Sequence, residues 1–186
     1  MLRILSLILC LVLAALVLPL LAAGDADPGI ERLLAAMTLR EKIGQVFIVP
    51  VFSAGTGPEL TRYLEQLKPG GIIILGEQLE NAYTVKRVCD RIGMLHKGWR
   101  VPVPMFTSIN QEGGIVNRLR INTVLFPSAM ALGATANTNL LYRTGLAVGR
   151  QLRAAGLNMN YAPVLDMNTN PQNQVIGFRA FADNAA

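Results

Sequence analysis

A chain of 186 residues is long enough for one domain of moderate size, and 52% hydrophobic side chains suit an α/β protein with a buried sheet. The net charge of +5 falls to about +4 without Arg3, and no basic run interleaves with aromatic residues, which excludes a nucleic-acid partner. One of the two cysteines, Cys10, lies in the N-terminal apolar run, so the exported part holds the single thiol Cys89 and cannot close an internal disulfide.

Met1 to Ala23 reads as a secretory signal. Arg3 supplies the positive start, Ile4 to Leu18 is nearly all apolar, Pro19 interrupts it, and Ala22-Ala23-Gly24 offers small residues for cleavage. The alternative is an uncleaved anchor, because Ile4 to Ala23 has the roughly 20 residues that span a bilayer. Either reading exports the domain to a bacterial periplasm, to the cell envelope or to the medium. Cys10 sits mid-run, which speaks against a lipid-modified terminus.

Residues 24–36 read as a linker and a leading helix, with the helical stretch from Ile30 to Met37. Thr38-Leu39-Arg40-Glu41 is a capping box, in which the hydroxyl caps the helix start and Glu41 reaches back. Gln45 to Phe52 is rich in Val, Ile and Phe and predicts the first strand. Ser53 to Pro58 is a turn. Glu59 to Leu67 predicts a helix with Leu60, Leu64 and Leu67 on one face. Lys68-Pro69-Gly70-Gly71 breaks the chain, and Ile72 to Leu75 is the continuous apolar run of a strand buried on both faces. Leu79 to His96 predicts a helix with Val85, Val88, Cys89, Ile92 and Leu95 inward, so Cys89 reads as a core thiol. His96 is expected at the surface or at this helix end. Met105 to Ile109 is the third strand, Leu140 to Ala155 a helix closed by Gly156, and Asn158 to Val164 the fourth strand. A polar, Asn-rich loop follows. Helices between consecutive strands imply parallel pairing. No Gly-x-Gly-x-x-Gly follows a strand and no Cys/His cluster occurs, so no cofactor and no metal are expected.

The third strand leads into Asn110-Gln111-Glu112-Gly113-Gly114-Ile115-Val116-Asn117-Arg118. A strand that ends in a polar double-glycine turn is how an α/β enzyme sets side chains at the open end of its sheet. Asn110, Glu112 and Arg118 bring an amide, a carboxylate and a guanidinium into one segment, which suits a polyhydroxylated ligand. The same residues also fit a plain strand-loop-helix connection whose polar groups face water.

Several ordered blocks, from about Met37 onward, resemble glycoside hydrolase family 3 in its β-N-acetylhexosaminidase branch. They are the Gln-Glu-Gly-Gly segment with Arg118, Phe126 to Gly133 (FPSAMALG), Asn158 to Asp166 (NMNYAPVLD), and Asn170-Pro171 with Val175 to Phe181 (VIGFRAF). The resemblance implies a (β/α)8 barrel, of which residues 37–186 would form the first four strand-helix units or so, and a retaining hydrolase of N-acetylglucosamine-containing glycans. It implies that Asn110, Arg118 and Arg179 bind the sugar, with Glu112 and Asp166 supporting them. The family has an aspartate where this chain has Asn110, a change that removes the charge and weakens sugar affinity. The family's acid/base histidine and nucleophilic aspartate would lie beyond Ala186, so no catalytic residue is assigned within the chain, and a carbohydrate is the expected partner. Glu112 and Asp166 both follow strands, but neither matches the family nucleophile as a pair at about 5–5.5 Å would require. A barrel takes about 250 residues, so the segment reads as the N-terminal part of a longer protein and is expected to have no turnover alone. Two other readings stay open: a non-catalytic glycan-binding or scaffold protein, and a β-glucosidase.

Overall fold

The computed structural model describes residues 27–52, 57–76 and 79–184. The signal or anchor and the start of the linker lie outside these residues, as does most of the turn expected at Ser53 to Pro58. Among the described residues no helix is long and apolar enough to cross a membrane. The chain divides into two compact units, one ending at Met37 and one beginning at Thr38. The described part of the first is helix α1, Pro28–Ala36, started by the Asp27 carboxylate, which accepts from the Gly29 N–H at 2.7 Å. A proline in the first turn costs this helix nothing, because its missing N–H would have had no partner there.

The second unit opens with the capping box. The Thr38 hydroxyl accepts from the Glu41 N–H at 3.3 Å, and the Glu41 carboxylate accepts from the Thr38 N–H at 2.9 Å. Arg100 also donates to that carboxylate. The main-chain bond from Thr38, followed by the bond from Arg100, holds Glu41 at about 2, well below its ordinary 4.5. Helix α2, Leu39–Gln45, extends to a residue expected to open the first strand. The Gln45 side chain donates to the Lys68 carbonyl at 2.9 Å and ties the helix end to the next turn, so strand β1 spans only Ile48–Val51.

Helix α3, Pro58–Leu67, strand β2, Gly71–Ile74, helix α4, Ala82–Lys97, and strand β3, Phe106–Ile109, follow. After a small hairpin, described below, come helix α5, Ala129–Gly133, helix α6, Thr138–Ala154, and strand β6, Met159–Asn160. The main sheet has the order β1-β2-β3-β6, and every pair is parallel. Ile48 pairs with Gly71, Gly71 with Phe106, and Ser108 with Met159. Ile72, Ile74 and Ile109 from the strands meet Leu64, Val85, Val88, Ile92, Leu152 and Leu157 from or beside the helices in one core cluster. On α3, Leu64 is fully buried, while Leu67 stays 39% exposed. Cys89 is buried in the core, and burial pushes its thiol up to about 12.

One expectation needs correction. The fourth strand was expected to run to Val164, but its ladder ends after Tyr161 donates to the Ile109 carbonyl at 2.9 Å. Pro163 has no N–H with which to continue it. His96 takes the second of its two expected places, in the last turn of α4, and is buried there. Its ring meets Trp99 edge-on at 5.1 Å, and the Lys68 ammonium lies 5.0 Å from the Trp99 ring. Gly156 takes the left-handed conformation its position requires, at φ 82°.

Candidate functional site

The polar segment after β3 is not an open loop. Asn110 leads directly into an antiparallel hairpin of strand β4, Gln111–Gly113, and strand β5, Val116–Asn117. Gly113 and Gly114 turn it at φ 98° and 57°. Both are also pressed against the chain before α5. A Cβ at Gly113 would stand 2.3 Å from the Pro127 carbonyl oxygen, and one at Gly114 would stand 2.6 Å from the Ser128 Cβ. Glycine is therefore required for conformation and for space. The Pro127-Ser128 block, where Ser128 caps α5, is thus the seat of the hairpin.

Gln111 is the buried centre of this unit, 2% exposed. Its Oε1 accepts from the N–H groups of Arg118 at 2.8 Å and Leu119 at 3.0 Å. Its Nε2 donates to Asn117 Oδ1 and to the Leu119 carbonyl, both at 3.1 Å. Sequence reading passed over this residue in favour of its neighbours. The available signal was a polar side chain alternating with Glu112 at the end of a buried strand.

Glu112 and Arg179 meet across the site. Arg179 ends a short 3-10 helix, Gly177–Arg179, and its Nε and one terminal nitrogen donate to the two Glu112 oxygens at 2.8 and 2.9 Å. Its other terminal nitrogen donates to the Val175 carbonyl at 3.0 Å. The Glu112 side chain is 5% exposed and that of Arg179 25%. The bond to Glu112, with the charges of Glu112 and Asp166, raises the arginine above its ordinary value. Three of the five guanidinium N–H groups are engaged, and two have no partner among the described residues.

Arg118 lies elsewhere on the hairpin. It is exposed, has no polar side-chain partner among the described residues, and lines a polar cavity of about 430 Å³ with Leu75, Gly76, Glu80, Asn117 and Arg120. Arg120 and Glu80 approach to 4.0 Å on its rim. Glu112 lines a different, mostly apolar cavity of about 340 Å³ with Leu132, Leu141, Val148, Leu152, Asn160 and Phe181. Asn110 is half-buried, and its Oδ1 is shielded from solvent with no hydrogen-bond partner. The five candidates therefore divide. Glu112 and Arg179 pair, Asp166 is exposed and makes no hydrogen bond or ion pair among the described residues, Arg118 faces a cavity lined by none of these, and Asn110 joins β3 to the hairpin that carries Glu112 and leads to Arg118. Neither of these two cavities is lined by Asn110, Arg118 and Arg179 together. Among these residues no group of His, Cys, Asp and Glu side chains could hold a metal.

A four-stranded, all-parallel sheet with helices between its strands places the chain in the α/β class. Residues 38–186 match the glycosyl hydrolase family 3 N terminal domain, and the chain belongs to that family. It is 33% identical over 131 residues to the Beta-hexosaminidase A of Pseudoalteromonas piscicida, covering 68% of this chain and 22% of that protein. Against the Beta-N-acetylglucosaminidase/beta-glucosidase of Cellulomonas fimi it is 30% identical over 163 residues, covering 87% of this chain and 27% of that one. The structure of a family 3 beta-N-acetylglucosaminidase from a Paenibacillus species superposes with a TM-score of 0.74 at 35% identity, over 78% of this chain and 28% of that chain. The chain spans about a quarter of the length of these curated relatives.

Proposed function

We propose that this domain holds the terminal N-acetylhexosamine of a β-linked glycan, and that it does so as the N-terminal part of a retaining β-N-acetylhexosaminidase built on a (β/α)8 barrel. The observation that carries the reading is the Glu112–Arg179 pair. A carboxylate that is 5% exposed grips one edge of the guanidinium through two bonds and leaves two donors in a fixed orientation. Fixed paired donors suit the carbonyl and hydroxyl oxygens of an acetamido sugar, because the ordering entropy is lost on folding and not on binding. Arg118, whose side chain has no polar partner among the described residues, supplies further donors on the other side of the hairpin. Asp166 adds negative charge that favours the charged form of Arg179. The bond-breaking groups, an attacking carboxylate and an acid/base group, are assigned to no residue of this chain.

The barrel reading is supported by the sheet itself. Among the described residues, four parallel strands in chain order leave β1 and β6 each with one unpaired edge, and an apolar groove of about 640 Å³ lined by Leu39, Ile43, Phe47, Tyr63 and Leu67 flanks β1. Further strands and helices of the same fold would cover both. Export to the cell envelope or beyond is proposed on Arg3 and the apolar run that follows it; fractionation of cells producing the protein would test it.

The test of function is sugar-dependent stabilisation. N-acetylglucosamine should raise the melting temperature and glucose should raise it less, and no shift with either would sink the carbohydrate reading. A second reading, β-glucosidase activity, takes its support from the double name of the Cellulomonas fimi relative. A larger shift with glucose than with N-acetylglucosamine would favour it.

A further inference from the structure

Two asparagines flank Met159 in the β6 segment and make the same bond pattern. Asn158 accepts from the Thr107 N–H at 2.8 Å and donates to the Met105 carbonyl at 3.0 Å. Asn160 accepts from the Gln111 N–H at 2.9 Å and donates to the Gln111 carbonyl at 3.0 Å. In each case a side-chain amide supplies the donor and acceptor that a neighbouring strand's backbone would otherwise provide.

The two differ in what they hold. Asn158 secures the entry of β3, at the strand end away from the hairpin. Asn160 secures Gln111, one residue after Asn110 and one before Glu112. Its hold is passed on, because the Gln111 side chain binds the main chain of Arg118 and Leu119. The backbone at Asn110, Glu112 and Arg118 is thus tied to one buried amide, and that amide's own main chain is tied to β6.

We infer that Asn160 and Gln111 are positioning residues for the saccharide site. They keep Asn110, Glu112 and Arg118 in one register against β6, acting through the backbone they hold. The inference rests on the carbohydrate reading above. A purely structural role would stabilise the fold without tuning affinity, and Asn158 is the internal control, since it makes the same two bonds away from the site.

The experiment compares Asn158→Ala, Asn160→Ala and Asn160→Asp in the full chain, measuring melting temperature and the affinity for N-acetylglucosamine. Both alanine variants should lose similar stability. Only Asn160→Ala should also lose affinity, by about fivefold or more, while Asn158→Ala stays within about twofold of the parent. Asn160→Asp keeps the acceptor for the Gln111 N–H and loses the donor to its carbonyl. It should fall between parent and alanine, and it carries the comparison if Asn160→Ala does not fold. Parent-like affinity in Asn160→Ala and Asn160→Asp, or equal weakening in Asn158→Ala, overturns the inference. A parent chain that binds no sugar overturns the carbohydrate reading first, and this inference with it.

Discussion

Glu112 and Arg179 stand 67 residues apart in the chain and are joined by two hydrogen bonds of 2.8 and 2.9 Å, one to each carboxylate oxygen. This pair connects the hairpin to the 3-10 turn, and so links two segments that have no strand pairing in common. Glu112→Gln keeps the shape but removes the charge and one of the two acceptors. A hydrogen bond to a charged partner contributes about 1.5–3 kcal/mol, so a loss of about 2 kcal/mol is expected, read as a lower denaturation midpoint with an unchanged slope. Arg179→Lys should cost nearly as much, because an ammonium cannot satisfy both oxygens in a fork. A double-mutant cycle with coupling near zero would show that the two groups do not cooperate.

Stability should fall in acid through Glu41. Its folded value of about 2 lies below its ordinary 4.5. The unfolded chain therefore takes up the proton first, and the stabilisation is complete above about 4.5 and is lost as the pH falls towards 2. Glu41→Gln should flatten this part of the pH–stability curve, and a curve of unchanged slope between those values would contradict the assignment. Arg100→Ala should weaken the same dependence without abolishing it, since the main-chain bond from Thr38 remains.

Much of the scaffold could be read from residues that carry strong local chemistry. Thr38 and Glu41 announce their capping box, the run from Ile72 marks the central strand, and Val85, Val88, Cys89 and Ile92 mark the buried face of α4. What could not be read depends on distant partners. The fourth strand looks long because Tyr161 to Val164 is apolar, yet pairing stops where Pro163 removes a donor. The hairpin looks like a loop because its glycines signal a turn, and nothing local shows that Pro127 and Ser128 close upon them. At the candidate site the residue types were visible in the sequence. Their division into a Glu112–Arg179 cluster and a separate Arg118 cavity was not, because that depends on a pairing 67 residues long.

The thiol of Cys89 should be silent in the native protein. Burial lifts it to about 12, so almost no thiolate exists near neutral pH. Alkylation at pH 8 followed by peptide mapping should leave Cys89 unmodified until denaturant is added. Modification of Cys89 as fast as that of a free thiol would show that α4 does not pack as described.

Gly114 should not tolerate a side chain. Alanine there would hold a φ of 57° and would meet Ser128 at 2.6 Å. Strain of this kind costs about 1–3 kcal/mol, and the clash with the start of α5 adds to it. Gly114→Ala should therefore lower the melting temperature more than Gly145→Ala, whose added Cβ would meet nothing within 4 Å. Equal losses would mean that the hairpin is not seated on Pro127 and Ser128.

The most direct measurement is a titration of the full chain with N-acetylglucosamine, followed by the NMR signals of the arginine Nε–H groups and the asparagine side-chain amides. Saturable shifts are expected at Arg118, Arg179 and Asn110, and Asn110→Asp should tighten binding by about tenfold as a charged acceptor replaces a neutral one. If those three signals stay still while the sugar is raised to saturating levels, or if the shifts fall only on residues away from the hairpin, the saccharide site is not where it has been placed.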